Sequence, residues 1–310
     1  MLSKEKQGNR MSFTKYYTQE EVYANIVQKL LLVPFTREQA ENVADSLVGN
    51  RFSLNIFQKS KIDGRVYDYK GKVDGFCRLF KDYPDFRSKY VKAALRQPSL
   101  LWHSPDTIKG NIDSLVGIYA SEGLTVKDYL KAALRQPQLF CLSAATVKGN
   151  IDTLVTGFAP EGLTTRDYLR AALRQPQLFY QSPVSIKANI DELVGIYASE
   201  GLTVKDYLKA ALSQPPLFYL SPATVAGHIR FILKMFDSGL FKPSQYGAFQ
   251  AILSFPVSLT FSYSNLRAHQ WYAMRRENKM AYSTAMAIKK KDIMDEFFRK
   301  FPKYKVNKNG

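Results

Sequence analysis

Between residues 125 and 162 the apolar positions follow a helical period twice over, and a proline separates the two runs. In the first run Val126, Tyr129, Leu130, Ala133 and Leu134 stand at i, i+3, i+4, i+7 and i+8, one stripe of an amphipathic helix. Thr125 is an N-cap candidate, and Asp128 places a carboxylate in the positive first turn. Pro137 lacks the N–H a helix needs and biases Gln136 out of helical backbone, so the helix is predicted to stop near Arg135 or Gln136. Leu139 and Phe140 then predict one apolar turn of tighter helix. A second helix is predicted from Ser143, with the stripe Val147, Ile151, Leu154, Val155 and Phe158, and Gly162 ends it as a C′ glycine.

The pattern recurs. Pro98, Pro137, Pro176 and Pro215 are each 39 residues apart, and "KAALRQPQLF", "RAALRQPQLF" and "KAALSQPPLF" repeat around the last three of them. Ser104-Pro105, Ser182-Pro183 and Ser221-Pro222 match the N-cap and N1 positions that start a helix, and Gly123 and Gly201 match Gly162. In the same register Leu173 is a core position. Each unit therefore reads helix, proline stop, apolar turn, helix, glycine stop, and such units bury their apolar faces only against their neighbours. The predicted fold is all-α, a right-handed α-solenoid of helix-pair repeats with divergent terminal caps.

Upstream, "TQEEVYANIVQKLLLV" and "TREQAENVADSLVGN" read as two helices, the second with Thr36 and Gln39 as a capping box. Downstream, "FQAILSFPVSLTFSYSNL" keeps the helix, proline and serine order, with Pro256 displaced to 41 residues after Pro215. The expected organisation is a disordered or targeting-like stretch at 1–17, a helical cap at 18–90, the array at 91–260 and a basic cap and tail at 261–310.

Charge adds a partner to this picture. The chain carries a net +17, yet residues 98–215 are neutral, and most of the surplus lies in 1–97 (+7) and 261–310 (+8). A surplus of this size points to a polyanion such as nucleic acid. Within the array a second pattern runs beside the apolar stripe: Lys127, Lys131 and Arg135 stand at i, i+4 and i+8, each one position after an apolar residue. The same slots hold Arg166, Arg170 and Arg174, then Lys205 and Lys209, with Lys92 and Arg96 one unit earlier. Stacked helices turn these ten residues into a candidate ridge for backbone phosphates; the alternative is a solvated helix face. In the C-terminal flank Trp271, Tyr272 and Tyr282 interleave with Arg275, Arg276, Lys289, Lys290 and Lys291, a mixture suited either to stacking and clamping nucleic acid or to capping the array.

Catalysis is not expected. His103, His228 and His269 are isolated, and Cys77 and Cys141 form no C-x-x-C pair, so no metal site is expected. No phosphate-binding glycine loop occurs, and no cofactor is expected. Asp113, Asp152 and Asp191 each follow a lysine by four residues and read as solvated ion pairs. Apolar runs fall short of the roughly 18 residues of a membrane span, so an intracellular, soluble monomer is expected, cytoplasmic or organellar. The pairs Trp102-His103, Cys141-Leu142, Tyr180-Gln181 and Tyr219-Leu220 vary where their surroundings do not, through tolerance in a turn or through partner readout.

The order "GLT..DYL..AL.QP.LF..S..T...NI..LV", followed by "FPVSLTFSYSNLRAHQWYAM" and "KKKDIMDEFFRKF", resembles the repeats of the mitochondrial transcription termination factor (mTERF) family over about residues 90–305. The resemblance implies a superhelix of helix pairs whose positively charged inner path binds duplex DNA or structured RNA in organelles. The units here are longer, with the extra residues near "ASEG" and "APEG", and more alike than that family's repeats. HEAT-type arrays and a peptide-binding scaffold are the competing readings.

Overall fold

The structure is a computed structural model and describes residues 19–49, 68–242, 247–275, 280–287 and 290–302. It is helical throughout, apart from one pair of two-residue strands. The first helices are α1 (Gln19–Leu30), α2 (Arg37–Gly49), α3 (Tyr69–Leu79), α4 (Phe86–Arg96), α5 (Pro105–Ile118) and α6 (Val126–Arg135). Next come α7 (Ala144–Phe158), α8 (Thr165–Arg174), α9 (Pro183–Ile196), α10 (Val204–Ser213) and α11 (Pro222–Asp237). The chain closes with α12 (Gly247–Ser254), α13 (Tyr263–Met274), α14 (Tyr282–Ala287) and α15 (Lys290–Lys300). Strands β1 (Phe241–Lys242) and β2 (Met280–Ala281) pair in parallel, with Phe241 opposite Met280.

Local chemistry sets these boundaries where the sequence placed them. Helix α6 stops at Arg135, and Pro137–Cys141 forms a 3-10 turn. The same turn follows α4, α8, α10 and α12, at Pro98–Trp102, Pro176–Phe179, Pro215–Phe218 and Pro256–Thr260. Thr164 and Thr203 each accept from the backbone N–H three residues on, both at 3.1 Å. Ser182 and Ser221 cap α9 and α11 in the same way, with Pro183 and Pro222 at N1. Thr36 and Gln39 exchange hydrogen bonds of 3.0 and 3.2 Å, the reciprocal capping box. Gly123, Gly162 and Gly201 lie at φ of +89°, +90° and +84°, a left-handed conformation that a side chain would strain.

The described residues fall into two compact units. One holds those up to Gly117 together with Val126–Ser143; the other holds Ile118–Thr125 together with those from Ala144 onward. The expected cap at 18–90 thus packs with the first part of the array. In the first unit α1 lies on α2 and α3, α3 on α4, and α4 on α6. Phe76 stacks on Tyr90 at 4.5 Å between ring centroids, and Phe140 meets the same tyrosine edge-on at 6.2 Å.

In the second unit the helices that open each repeat, α8, α10 and α12, stack on one another, and those that close it, α7, α9 and α11, stack likewise. Ala171, Ala172, Ala210 and Ala211 are buried, so the small side chains let α8 and α10 approach closely. The hydroxyls of Tyr168 and Tyr207 donate to the Leu178 and Leu217 carbonyls at 2.9 Å, tying each helix to the turn that follows. Leu173 is a correction: it is half-buried, whereas Leu169 is 2% exposed. At 100° per residue the last member of an i to i+8 stripe has drifted about 80° from the first, onto the flank of the helix.

A half-buried charge lies outside the pattern. Lys72 of α3 donates to the Leu101 and Trp102 carbonyls at 2.8 and 3.2 Å, and loss of hydration lowers its pKa to about 8 although Asp68 opposes the shift. A lysine depressed in the folded state binds fewer protons there than in the unfolded chain between about pH 8 and its ordinary 10.5. Its contribution therefore makes stability rise with pH across that window. Urea unfolding at intervals from pH 7 to 10 is expected to show this rise, and Lys72→Met to flatten it.

Candidate nucleic-acid interface

All ten predicted ridge residues are exposed: Lys92, Arg96, Lys127, Lys131 and Arg135 in the first unit, and Arg166, Arg170, Arg174, Lys205 and Lys209 in the second. They occupy α4 and α6 of one unit and α8 and α10 of the other. Their chemistry divides them. Arg96 reaches the end of α6, where its guanidinium donates to the Arg135 carbonyl at 3.0 Å and to the Leu134 carbonyl. Arg174 repeats the contact on α10, donating to the Ser213 carbonyl at 3.2 Å and to the Leu212 carbonyl. The last carbonyls of a helix have no intrahelical donors and carry its negative pole, so a guanidinium placed there satisfies both needs. These arginines are staples between successive repeats.

Arg166 is held as well, by the Ser121 carbonyl at 3.0 Å and the Glu122 carboxylate at 3.6 Å, and Arg170 lies 3.9 Å from Asp167. By contrast, the side chains of Lys92, Lys127, Lys131, Lys205 and Lys209 make no hydrogen bond or ion pair among the described residues. The i, i+4 pairs Lys127/Lys131 and Lys205/Lys209 are separated by about 6 Å along their helix axes. Flexible ammonium groups in such rows suit phosphate oxygens as point charges and carry no base readout.

The staples make a stability prediction that the ridge reading does not. Arg174→Gln is expected to lower the unfolding free energy by roughly 1 kcal/mol, because two carbonyls lose a charged donor at an exposed site. Arg170→Gln is expected to leave it unchanged. Urea unfolding of the two variants checks the contrast.

The C-terminal aromatics are packed within the protein. Trp271 lies against Phe297 and Phe301, at 5.8 and 6.2 Å between ring centroids, with the Arg275 guanidinium 4.8 Å and the Lys300 ammonium 6.0 Å from its ring centroid. Arg275 also pairs with Glu296. Tyr282 is buried and donates its hydroxyl to Ser258, and Tyr272 is half-buried. Lys290 and Lys291 open α15, while Arg276 and Lys289 lie outside the described residues.

The acidic residues on the closing helices behave as read. Lys187 and Asp191 pair at 2.6 Å, and Lys109–Asp113 and Lys148–Asp152 pair likewise. Burial works against ionisation of Asp152, yet hydrogen bonds from Lys148 and Tyr119 hold its pKa below the ordinary carboxylate value. His228 and His269 are buried, with Nδ1 atoms 2.8 and 3.0 Å from the Leu259 and Ala285 carbonyls. Among the described residues no cluster of histidine, cysteine or carboxylate side chains is arranged to hold a metal ion. No helix there is long and apolar enough to cross a membrane.

The eight residues of the variable pairs are all half-buried, and Tyr219 and Cys141 reach back toward the preceding turn. The Gln175 amide donates to the Tyr219 hydroxyl at 2.8 Å, and Ser99 lies 3.9 Å from the Cys141 sulfur. The staples escaped the sequence reading, although a signal was present: Arg96, Arg135 and Arg174 all fall in a last helical turn, where a cation meets bare carbonyls. Together, fold and surface define an all-helical protein with exposed lysines on helices of each unit. No protein-family model matches the chain, and no curated protein matches it in sequence.

Proposed function

We propose that this chain is a non-catalytic nucleic-acid-binding protein, a right-handed α-solenoid with a 39-residue unit, which holds the sugar-phosphate backbone through the lysines of its opening helices. The observation that carries the reading is the division of labour on those helices. Their arginines are spent on repeat joints and local carboxylates, while Lys92, Lys127, Lys131, Lys205 and Lys209 are exposed and unpaired among the described residues. Unpaired ammonium groups raise solubility anywhere, but a row in one helical register, within a chain of net +17, favours a polyanion.

Binding of this kind is sequence-tolerant, because every duplex presents the same phosphates. The resemblance to the mTERF repeats favours a role in transcription or in binding structured RNA. No cofactor enters the proposal. Fluorescence anisotropy with labelled random-sequence DNA and RNA tests it: saturable binding that weakens steeply with added salt is the expected result. A partner held by an apolar peptide groove would be nearly indifferent to salt.

A further inference from the structure

At one joint serine stands where the staples have arginine. At positions 96, 135 and 174 the residue before the Gln-Pro stop is arginine, and at 213 it is serine. Where Arg96 and Arg174 reach the end of the next opening helix, Ser213 has one hydroxyl on one carbon and cannot span the gap. The carbonyls of Leu253 and Ser254 at the end of α12 accept no hydrogen bond from other described residues. At this place the structure has a cavity of about 350 Å³, whose lining includes Asp206, Lys209, Ser213, Gln250, Leu253 and Ser254.

We infer that this cavity is a binding site for a guanidinium group supplied from outside the chain, as the side chain of a peptide arginine. The molecule itself gives the precedent, since two carbonyls at the end of α10 receive the guanidinium of Arg174 in the joint before. The surroundings match as well. By the 39-residue register Asp206 and Lys209 stand to the open joint as Asp167 and Arg170 stand to the filled one, so a lysine at this position does not exclude a second cation. The helix end contributes the negative pole, Asp206 adds a full charge, and the Ser213 hydroxyl and Gln250 amide oxygen are further acceptors. Planar bidentate donation to two carbonyls favours guanidinium over ammonium. The site stands independently of the nucleic-acid reading, since its chemistry is that of an acceptor cradle for a cation.

The probe is N-acetyl-arginine amide, titrated into the full chain by calorimetry, with N-acetyl-citrulline amide as the uncharged isostere and agmatine as a guanidinium without a peptide frame. One saturable site of roughly millimolar affinity is expected, with citrulline at least about tenfold weaker. Stronger binding of the blocked amino acid than of agmatine assigns the site to peptides, and equal binding places all recognition in the guanidinium shared by both sources. Ser213→Arg rebuilds the internal staple and is expected to abolish binding. Arg174→Ser opens the preceding joint and is expected to raise the stoichiometry from one to two. Absence of saturable binding by the parent overturns the inference, and so does undiminished binding by a folded Ser213→Arg. Should that variant not fold, an Arg174→Ser stoichiometry that stays at one overturns it instead.

Discussion

Leu169→Asp is expected to abolish cooperative folding of the unit that holds Ile118–Thr125 and the residues from Ala144 onward. Leu169 is 2% exposed on the face of α8 that packs against its neighbours, so the substitution removes a full core side chain and puts a carboxylate in its place. Lost packing at such a site costs about 2–5 kcal/mol, and burial of the carboxylate adds to it, against a typical total stability of about 5–15 kcal/mol. Leu173→Asp, one turn on, is expected to cost much less, because a half-buried site lets the carboxylate turn toward solvent. Urea unfolding followed by circular dichroism distinguishes the pair. A Leu169→Asp variant as stable as the parent would place the buried stripe on the wrong face.

Changing Lys92, Lys127, Lys131, Lys205 and Lys209 together to Gln is expected to remove most nucleic-acid affinity while leaving the fold intact. Gln and Lys have similar helix propensities, and none of the five side chains makes a hydrogen bond or ion pair among the described residues. Five lost phosphate contacts correspond to roughly a thousandfold weaker binding at low salt, about equally for every sequence tested. Arg166, Arg170 and Arg174 changed to Gln are expected to do the reverse, weakening the fold more than the binding, because Arg166 and Arg174 are engaged within the protein. Asp113, Asp152 and Asp191 changed to Asn serve as the control, since they pair with lysines on the closing helices and leave the proposed face untouched.

What the sequence shows and what it hides separates along the range of the interactions involved. Helix α6 could be bounded to within a residue because Thr125, Pro137 and the apolar stripe act within one turn of the backbone they shape. The glycine stops and the Thr36–Gln39 box were legible for the same reason. The staple contacts of Arg96 and Arg174 were not legible because their acceptors lie 38 and 39 residues away, and because on a helical wheel these arginines share a sector with the lysines. Trp271 among basic residues suits a nucleic-acid clamp as well as a cap, and its contact with Phe297 and Phe301 lies too far along the chain to be read from the sequence. Leu173 was misread at the margin, where an apolar stripe blends into the basic flank.

The central claim is that the opening-helix lysines meet phosphate, and the slope of log affinity against log salt concentration on duplex DNA measures this most directly. Each phosphate contact contributes about −0.9 to that slope, so the five-lysine variant is expected to show a slope flatter than the parent's by about 4.5. A parent that binds with a steep slope and a variant that retains the same slope would contradict the claim and assign the contact to other basic residues of the chain.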